Sequence, residues 1–133
     1  MMANPIMVSG TGRFDTRLME VCEGRLVTKG GAEGFHCVGI MPGALGTGSP
    51  GVGIALKIAD GDLSIRKING ETYNRARPAV TIEILRQMEY IGQKELDALA
   101  VDFGPTKPVQ NLRRLVTGVA RPVFTIHRMV EPE

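Results

Sequence analysis

No apolar run in this 133-residue chain approaches the roughly 20 residues that a membrane-spanning helix needs, so no membrane partner is expected. Nor does one sign of charge prevail. Sixteen basic and fourteen acidic residues leave a formal net charge of +2, which gives no electrostatic footprint for nucleic acid or another polyanion. Arg113, Arg114, Arg121 and Arg128 thicken the C-terminus and read as a solvated face. Cysteine is scarce. Cys22 and Cys37 lack Cys-x-x-Cys spacing and no secretory leader precedes them, which fits a reducing cytoplasm. Each reads as a small buried apolar side chain, with a disulfide between them left open. Histidine offers no metal pattern either. His36 adjoins Cys37, and neighbouring strand residues face opposite ways, while His127 stands alone near the end; His36 reads as a surface or turn histidine rather than a ligand.

What is present is a globular composition, 43% apolar and 23% charged, in a length suited to one domain. The chain is organised around Thr28-Lys29-Gly30-Gly31-Ala32-Glu33-Gly34. Arg25 to Thr28 leads in with β-branched residues and Phe35 to Ile40 alternates, so Gly30 to Gly34 is expected to turn between two strands. Glycine there permits positive φ and lets a ligand approach the main chain.

Upstream, Met1 to Ser9 is apolar and starts as if inside an element already begun. Phe14, Leu18, Val21 and Cys22 recur at helical spacing, predicting a helix over 14–23 that Gly24 terminates. Strands are expected near Arg25 to Lys29, His36 to Met41 and Gly51 to Ile58, forming an antiparallel meander. Asn69-Gly70 signals a further hairpin or extended loop. Pro78 opens a helix with Ile84, Leu85, Met88 and Ile91 on one side and Gly92 as its stop. Lys94 to Ala100 predicts one or two more turns, Pro105 and Pro108 predict irregular chain, and a last edge strand is expected near Val119 to Ile126. No internal repeat is visible.

Two familiar patterns fail on context. Gly46-Thr47-Gly48-Ser49-Pro50-Gly51 satisfies Gly-x-Gly-x-x-Gly, but a strand follows it where the dinucleotide fingerprint needs a helix. Ser64-Ile65-Arg66-Lys67 satisfies Ser-x-x-Lys, but in extended chain positions i and i+3 face opposite ways. Lys29 and Lys57 are better candidates for chemistry. Each ends an otherwise apolar strand, and adjacent strands would bring both to one mouth. A lysine there could serve as general base, anion ligand or oxyanion stabiliser, with Glu33 orienting an ammonium group. Arg13 and Asp15 read as surface charges by spacing, or as groups aimed at the site.

Three stretches carry a likeness: Val8-Ser9-Gly10-Thr11-Gly12-Arg13-Phe14-Asp15-Thr16, Lys29-Gly30-Gly31-Ala32-Glu33-Gly34, and Gly53-Ile54-Ala55-Leu56-Lys57-Ile58 with Asp60-Gly61. Together they resemble the L-asparaginase II family, related in fold to serine β-lactamases and glutaminases. The resemblance implies that Lys29-Gly30-Gly31 corresponds to the Lys-Thr-Gly strand motif, that Lys57 partners a serine from upstream, and that Cys37 lies close to the same site. It also implies hydrolysis of the asparagine side-chain amide to aspartate and ammonia, with zinc near the site in some members. The segments that supply the family's nucleophilic serines and its Cys-Ser-Gly-Lys-His and Asp-Gly-Cys-Gly metal motifs have no counterpart here.

The expectation is therefore a single α+β domain over 1–133, the C-terminal part of a β-lactamase-like fold, with an antiparallel sheet and helices packed on one face. Lys57 and Lys29 are the catalytic candidates; Gly30, Gly31, Glu33, Arg13 and Cys37 are the substrate-binding ones. The chain itself is expected to hold no cofactor and to act on a small amide in the cytoplasm, associating with itself or with an N-terminal partner segment. The alternative is a non-catalytic binding or assembly subunit that keeps the scaffold. A third arrangement has another polypeptide donate the serine to a site built between chains.

Overall fold

In the computed structural model, which describes residues 1–59, 67–68, 71–72 and 76–129 (with backbone alone at 67, 68, 71, 72 and 107), the expected meander is present. Strands β1 (Leu26–Gly30), β2 (Phe35–Ile40) and β3 (Val52–Lys57) form an antiparallel sheet in that order. Their registers, Thr28 opposite Val38 and Val38 opposite Ile54, place even-numbered residues on one face and odd-numbered ones on the other. Leu26, Thr28, His36, Val38 and Ile40 on the even face are all buried. Lys29, Phe35, Ala55 and Lys57 on the odd face are exposed.

Helices cover the even face. Helix α1 (Ile6–Ser9) is a single turn, and α2 (Phe14–Val21) packs on β1 and on α4 (Gln93–Phe103), which also meets α3 (Ala76–Gln87). Phe14, Leu18, Met19 and Cys22 of α2 and its continuation join Leu26, Val38, Ile40, Ile82, Leu85, Leu99 and Phe103 in one core. Each fully buried large apolar side chain contributes about 1.5–3 kcal/mol. The architecture is α+β, as the sequence indicates.

Several boundaries differ from expectation, each for a local reason. Helix α2 stops at Val21 because Glu23 and Gly24 take left-handed conformations, φ 45° and 80°. Helix α3 ends before Gly92 because Glu89, with φ 61°, supplies the left-handed residue of a Schellman turn. Its neighbours complete that turn: Tyr90 N–H donates to Leu85 C=O at 2.9 Å and Glu89 N–H to Arg86 C=O at 3.0 Å. Gly92 instead precedes α4, where its N–H donates to the Glu95 carboxylate three residues on. That arrangement carries α4 through 11 residues, beyond the one or two turns expected. The buried stripe of α3 is Pro78, Thr81, Ile82 and Leu85, rotated from the Ile84, Leu85, Met88 and Ile91 set because Thr81 is drawn to a buried partner described below.

A two-residue pairing of β4 (Lys67–Ile68) with β5 (Glu71–Thr72) flanks the Asn69-Gly70 signal; Asn69, Gly70 and Ser64 lie outside the described residues. The Pro105 to Pro108 stretch is not irregular throughout. Pro108 lies in β6 (Lys107–Gln110), which pairs with β7 (Val116–Ala120). A two-stranded sheet leaves every residue on an edge, where a missing N–H is tolerated. The last strand is thus earlier than Val119 to Ile126. Downstream of it, the Gln87 side chain clamps the chain by donating to Phe124 C=O and accepting from Ile126 N–H, both at 2.8 Å.

Candidate active site around the Lys-Gly-Gly turn

The ends of β1 and β3 lie at the same end of the sheet, because each runs antiparallel to β2 between them. Gly30 to Gly34 bridges that end. The turn closes by Gly31 N–H donating to Phe35 C=O at 2.8 Å and Phe35 N–H to Ala32 C=O at 3.1 Å. Its left-handed residues are Glu33 and Gly34, with φ 55° and 73°, whereas Gly31 carries no positive φ. Glycine at position 30 has a different cause. A Cβ there would sit 2.6 Å from the Arg77 guanidinium, so the absent side chain makes room for a cation that reaches in from α3.

The structure brings most of the sequence candidates to this end. Lys29 and Lys57 stand on the same odd face, Lys29 opposite Cys37 and Lys57 opposite Phe35. The Lys29 ammonium donates to Gly30 C=O at 2.7 Å. That of Lys57 donates to Glu33 C=O at 2.9 Å and lies 3.4 Å from the Glu33 carboxylate. With 54% and 83% of these two side chains exposed, the ion pair is worth little in stability, yet it aims the ammonium at the turn. Arg77, which the sequence reading did not single out, places Nη1 3.4 Å from Gly31 C=O and 3.5 Å from Phe35 C=O. Arg13 is the extended, exposed residue before α2. Cys37 is half-buried on the odd face and Cys22 buried in the core, and both thiols are free. Burial pushes the Cys22 thiol up to about 11.

Beneath the turn lies a buried polar network that the sequence reading missed. His36 is fully buried, not a surface or turn residue, and Asp15 is buried, not a surface charge. Asp15 Oδ2 accepts from Ser9 Oγ and from Gly30 N–H, each at 2.8 Å. Its Oδ1 lies 2.9 Å from His36 Nε2, which must carry a proton to face a carboxylate. His36 Nδ1 meets Thr81 Oγ1 at 2.8 Å, and Thr28 Oγ1 lies 2.7 Å from Nε2 while donating to Cys37 C=O at 3.0 Å. Burial alone would raise the Asp15 carboxyl, but hydrogen bonds from His36, Gly30 N–H and Ser9 outweigh it and hold the group well below the usual carboxylate range.

Thr28, His36 and Asp15 are the residue types of a hydroxyl, imidazole and carboxylate relay. The geometry rejects that role. Such a relay uses one ring nitrogen for the hydroxyl and the other for the carboxylate, whereas here both contact Nε2 and Thr28 is only 1% exposed. The network is a strut that ties α2, β1, β2 and α3 to the amide of Gly30. A signal for it existed in the sequence. Asp15 falls on the stripe of Leu18, Met19 and Cys22, and His36 shares parity with Val38 and Ile40, so each polar residue sat on an apolar face.

Among the described residues no group of three or more His, Cys, Asp or Glu side chains could hold a metal ion, and His36 and Cys37 occupy opposite faces of the sheet. These residues do not fit zinc. A separate open groove between α2 and α4, lined by Arg17, Glu20, Lys94 and Glu95, contains none of the candidates.

A family model described as L-asparaginase II matches residues 1–122, spanning the turn, both strand-end lysines and the buried network. The chain belongs to the L-asparaginase II family. No curated protein matches it. Family membership makes an amide such as asparagine the natural substrate class, and it covers β6 and β7 as well as the sheet. No described helix is long and apolar enough to cross a membrane.

Glu33 gives a direct check on the turn. Holding a non-glycine residue left-handed costs about 1–2 kcal/mol, and glycine gives back about 0.4–1 kcal/mol through unfolded-state entropy. Glu33→Gly is therefore expected to raise stability by about 0.5–1 kcal/mol in urea denaturation. A loss of stability would show that the contact with Lys57 outweighs the backbone strain.

Proposed function

We propose that this chain supplies the lysine and glycine half of an amidohydrolase site that converts L-asparagine to L-aspartate and ammonia, the nucleophilic serine coming from a segment outside it. The observation that carries this reading is the placement of Lys29 and Lys57 on one face, at one end of the sheet, with the glycine turn between their strands. In this reaction Lys57 acts as the neutral amine, having given up the proton it shares with Glu33 in the resting structure: the serine hydroxyl attacks the amide carbon and Lys57 takes its proton. The C–N bond breaks as Lys57 returns that proton to the departing ammonia, leaving an ester that water hydrolyses to aspartate. Lys29 holds the substrate carboxylate or the developing oxyanion, with main-chain N–H groups of the turn beside it. Gly31 and Glu33 shape the approach, Cys37 lines it, and Arg13 completes the proposed binding residues.

The two described serines support an external nucleophile. Ser9 donates to Asp15, and Ser49 Oγ accepts from Leu45 N–H in the loop before β3. The same observation favours the rival, a non-catalytic binding or assembly subunit. Zinc, where the complete family enzyme uses it, would be held by residues outside those described here.

Purified chain given L-asparagine is expected to release no ammonia above the uncatalysed background in a glutamate dehydrogenase-coupled assay. Steady turnover by the chain itself would place the nucleophile within it and overturn the proposal; loss of that turnover in Ser64→Ala would identify the residue.

A further inference from the structure

Two glycines in succession make pliable backbone, yet Gly30 and Gly31 follow directly on Lys29, and a group that acts on a substrate has to be held to within about 0.5 Å. Strand pairing does not hold them. A ladder continued past Gly30 would have Gly31 and Phe35 exchange both hydrogen bonds. Gly31 N–H does donate to Phe35 C=O, but Phe35 N–H goes to Ala32 C=O instead. The ladder is thus broken at Gly31.

Side chains from two helices take over. Asp15, on α2, accepts from Gly30 N–H at 2.8 Å. Arg77, in the first turn of α3, lies against Gly30 on the even face. A Cβ built on Gly30 would stand 2.6 Å from Arg77 Nη1, 3.0 Å from Cζ and 3.3 Å from Nη2, so the planar guanidinium fills the volume that a side chain would take. Nη1 also reaches Gly31 C=O at 3.4 Å and Phe35 C=O at 3.5 Å. Helix α3 reaches Gly30 by a second route as well. Thr81, one turn beyond Arg77, donates to Arg77 C=O at 2.9 Å and meets His36 Nδ1 at 2.8 Å, and His36 Nε2 faces Asp15. These contacts bear on Lys29, because its ammonium donates to Gly30 C=O at 2.7 Å.

We propose that Arg77 is a positioning residue for the amide site: from α3 it fixes the Gly30–Gly31 backbone and thereby sets where the Lys29 ammonium stands. The functional part of this inference rests on the amidohydrolase reading. Lys29 and Lys57 lie on the odd face and Arg77 on the other, so Arg77 acts through the strand and not by touching substrate. The brace is built from contacts within the chain, and it stands whichever segment completes the site.

Gly30→Ala displaces the guanidinium while leaving Arg77 in the sequence. Gly30 has no positive φ, so alanine fits the backbone, and the three nearest atoms to its Cβ all belong to the end of the flexible Arg77 side chain. In heteronuclear NMR spectra of the intact chain, Arg77→Ala should shift the Lys29, Gly30 and Gly31 amides and speed exchange at Gly31 about tenfold. In the Gly30→Ala chain, where the guanidinium is already displaced, it should shift them little. In a form joined to the serine-bearing segment, Arg77→Ala should lower kcat by about 10–100-fold with KM held within about twofold. Gly30→Ala should give the same fall, and the double variant should fall no further. Arg77→Lys keeps the charge without the planar fork and should recover little of the loss.

Lys29 to Gly31 amides unmoved by Arg77→Ala would overturn the proposal. So would losses of kcat that multiply in the double variant, or full recovery in Arg77→Lys. A joined form that releases no ammonia would count against the amidohydrolase reading alone, because the amide shifts of the unjoined chain decide the brace independently.

Discussion

Asp15→Ala is expected to bring the domain to the edge of unfolding, lowering its stability by about 3–5 kcal/mol, as when one partner of a buried charged pair is removed. Against a typical total of about 5–15 kcal/mol, few domains tolerate that loss. The cost arises from what the substitution strands. His36 Nε2–H, the Ser9 hydroxyl and the Gly30 amide all lose the acceptor they share, inside a site with little water to replace it. Ser9→Ala removes one donor and leaves the carboxylate in place, so it should cost only about 1 kcal/mol. Urea denaturation of the two variants separates these outcomes. An Asp15→Ala midpoint equal to that of the unsubstituted chain would mean that the network contributes nothing to holding the turn.

The same carboxylate sets an acid limit on the fold. Its folded-state pKa is depressed below the ordinary 3.8, so the unfolded chain takes up the proton first as pH falls. The stabilisation from Asp15 is therefore fully present above about pH 4 and is lost progressively below it. Asp15→Ala should flatten that part of the acid-denaturation curve, leaving, among the described residues, the smaller contributions of Glu83 and Glu95, whose pKa values are also lowered.

The sheet was legible because its strands carry a period of two with turn residues between them, and the turn at Gly30 to Gly34 followed from its glycines lying between two such segments. The strut beneath it was harder to see. Histidine and aspartate default to the surface when judged one at a time, and only their alignment with Val38 and Ile40, or with Leu18 and Met19, marks them as buried. Nothing in the spacing of Thr81 reveals that it will face His36, because that contact joins positions 45 residues apart. The same limit applies to Arg77, whose approach to Gly30 depends on how α3 lies against β1. The end of α3 was misplaced because Glu89 adopts a conformation for which glycine is the usual signal. The β6–β7 hairpin escaped because Pro108 argues against a central strand and this one has no centre. Exposed from Pro108 to Ala120, that hairpin derives little stability from the core.

The central proposal is most directly tested in a form that has both halves of the site, the chain joined to an upstream segment that supplies the family's nucleophilic serine. There Lys57 is asked to take the proton of the incoming serine and return it to the leaving ammonia, work for which general acid–base groups contribute about 10²–10⁴-fold in rate. Its removal should leave the fold intact. The side chain is 54% exposed and, among the described residues, its hydrogen-bond partner is Glu33 at the turn, so Lys57→Ala removes a surface side chain from outside the core, and circular dichroism and the urea midpoint should stay close to those of the parent. The deciding measurement is the initial rate of ammonia release from L-asparagine by the joined form and by its Lys57→Ala variant. Steady turnover in the first and a fall of about 10³-fold in kcat in the second, with the fold unchanged, is the predicted result. Equal rates in the two would contradict the assignment of Lys57 as the proton carrier, and a folded joined form that releases no ammonia would contradict the amidohydrolase reading itself.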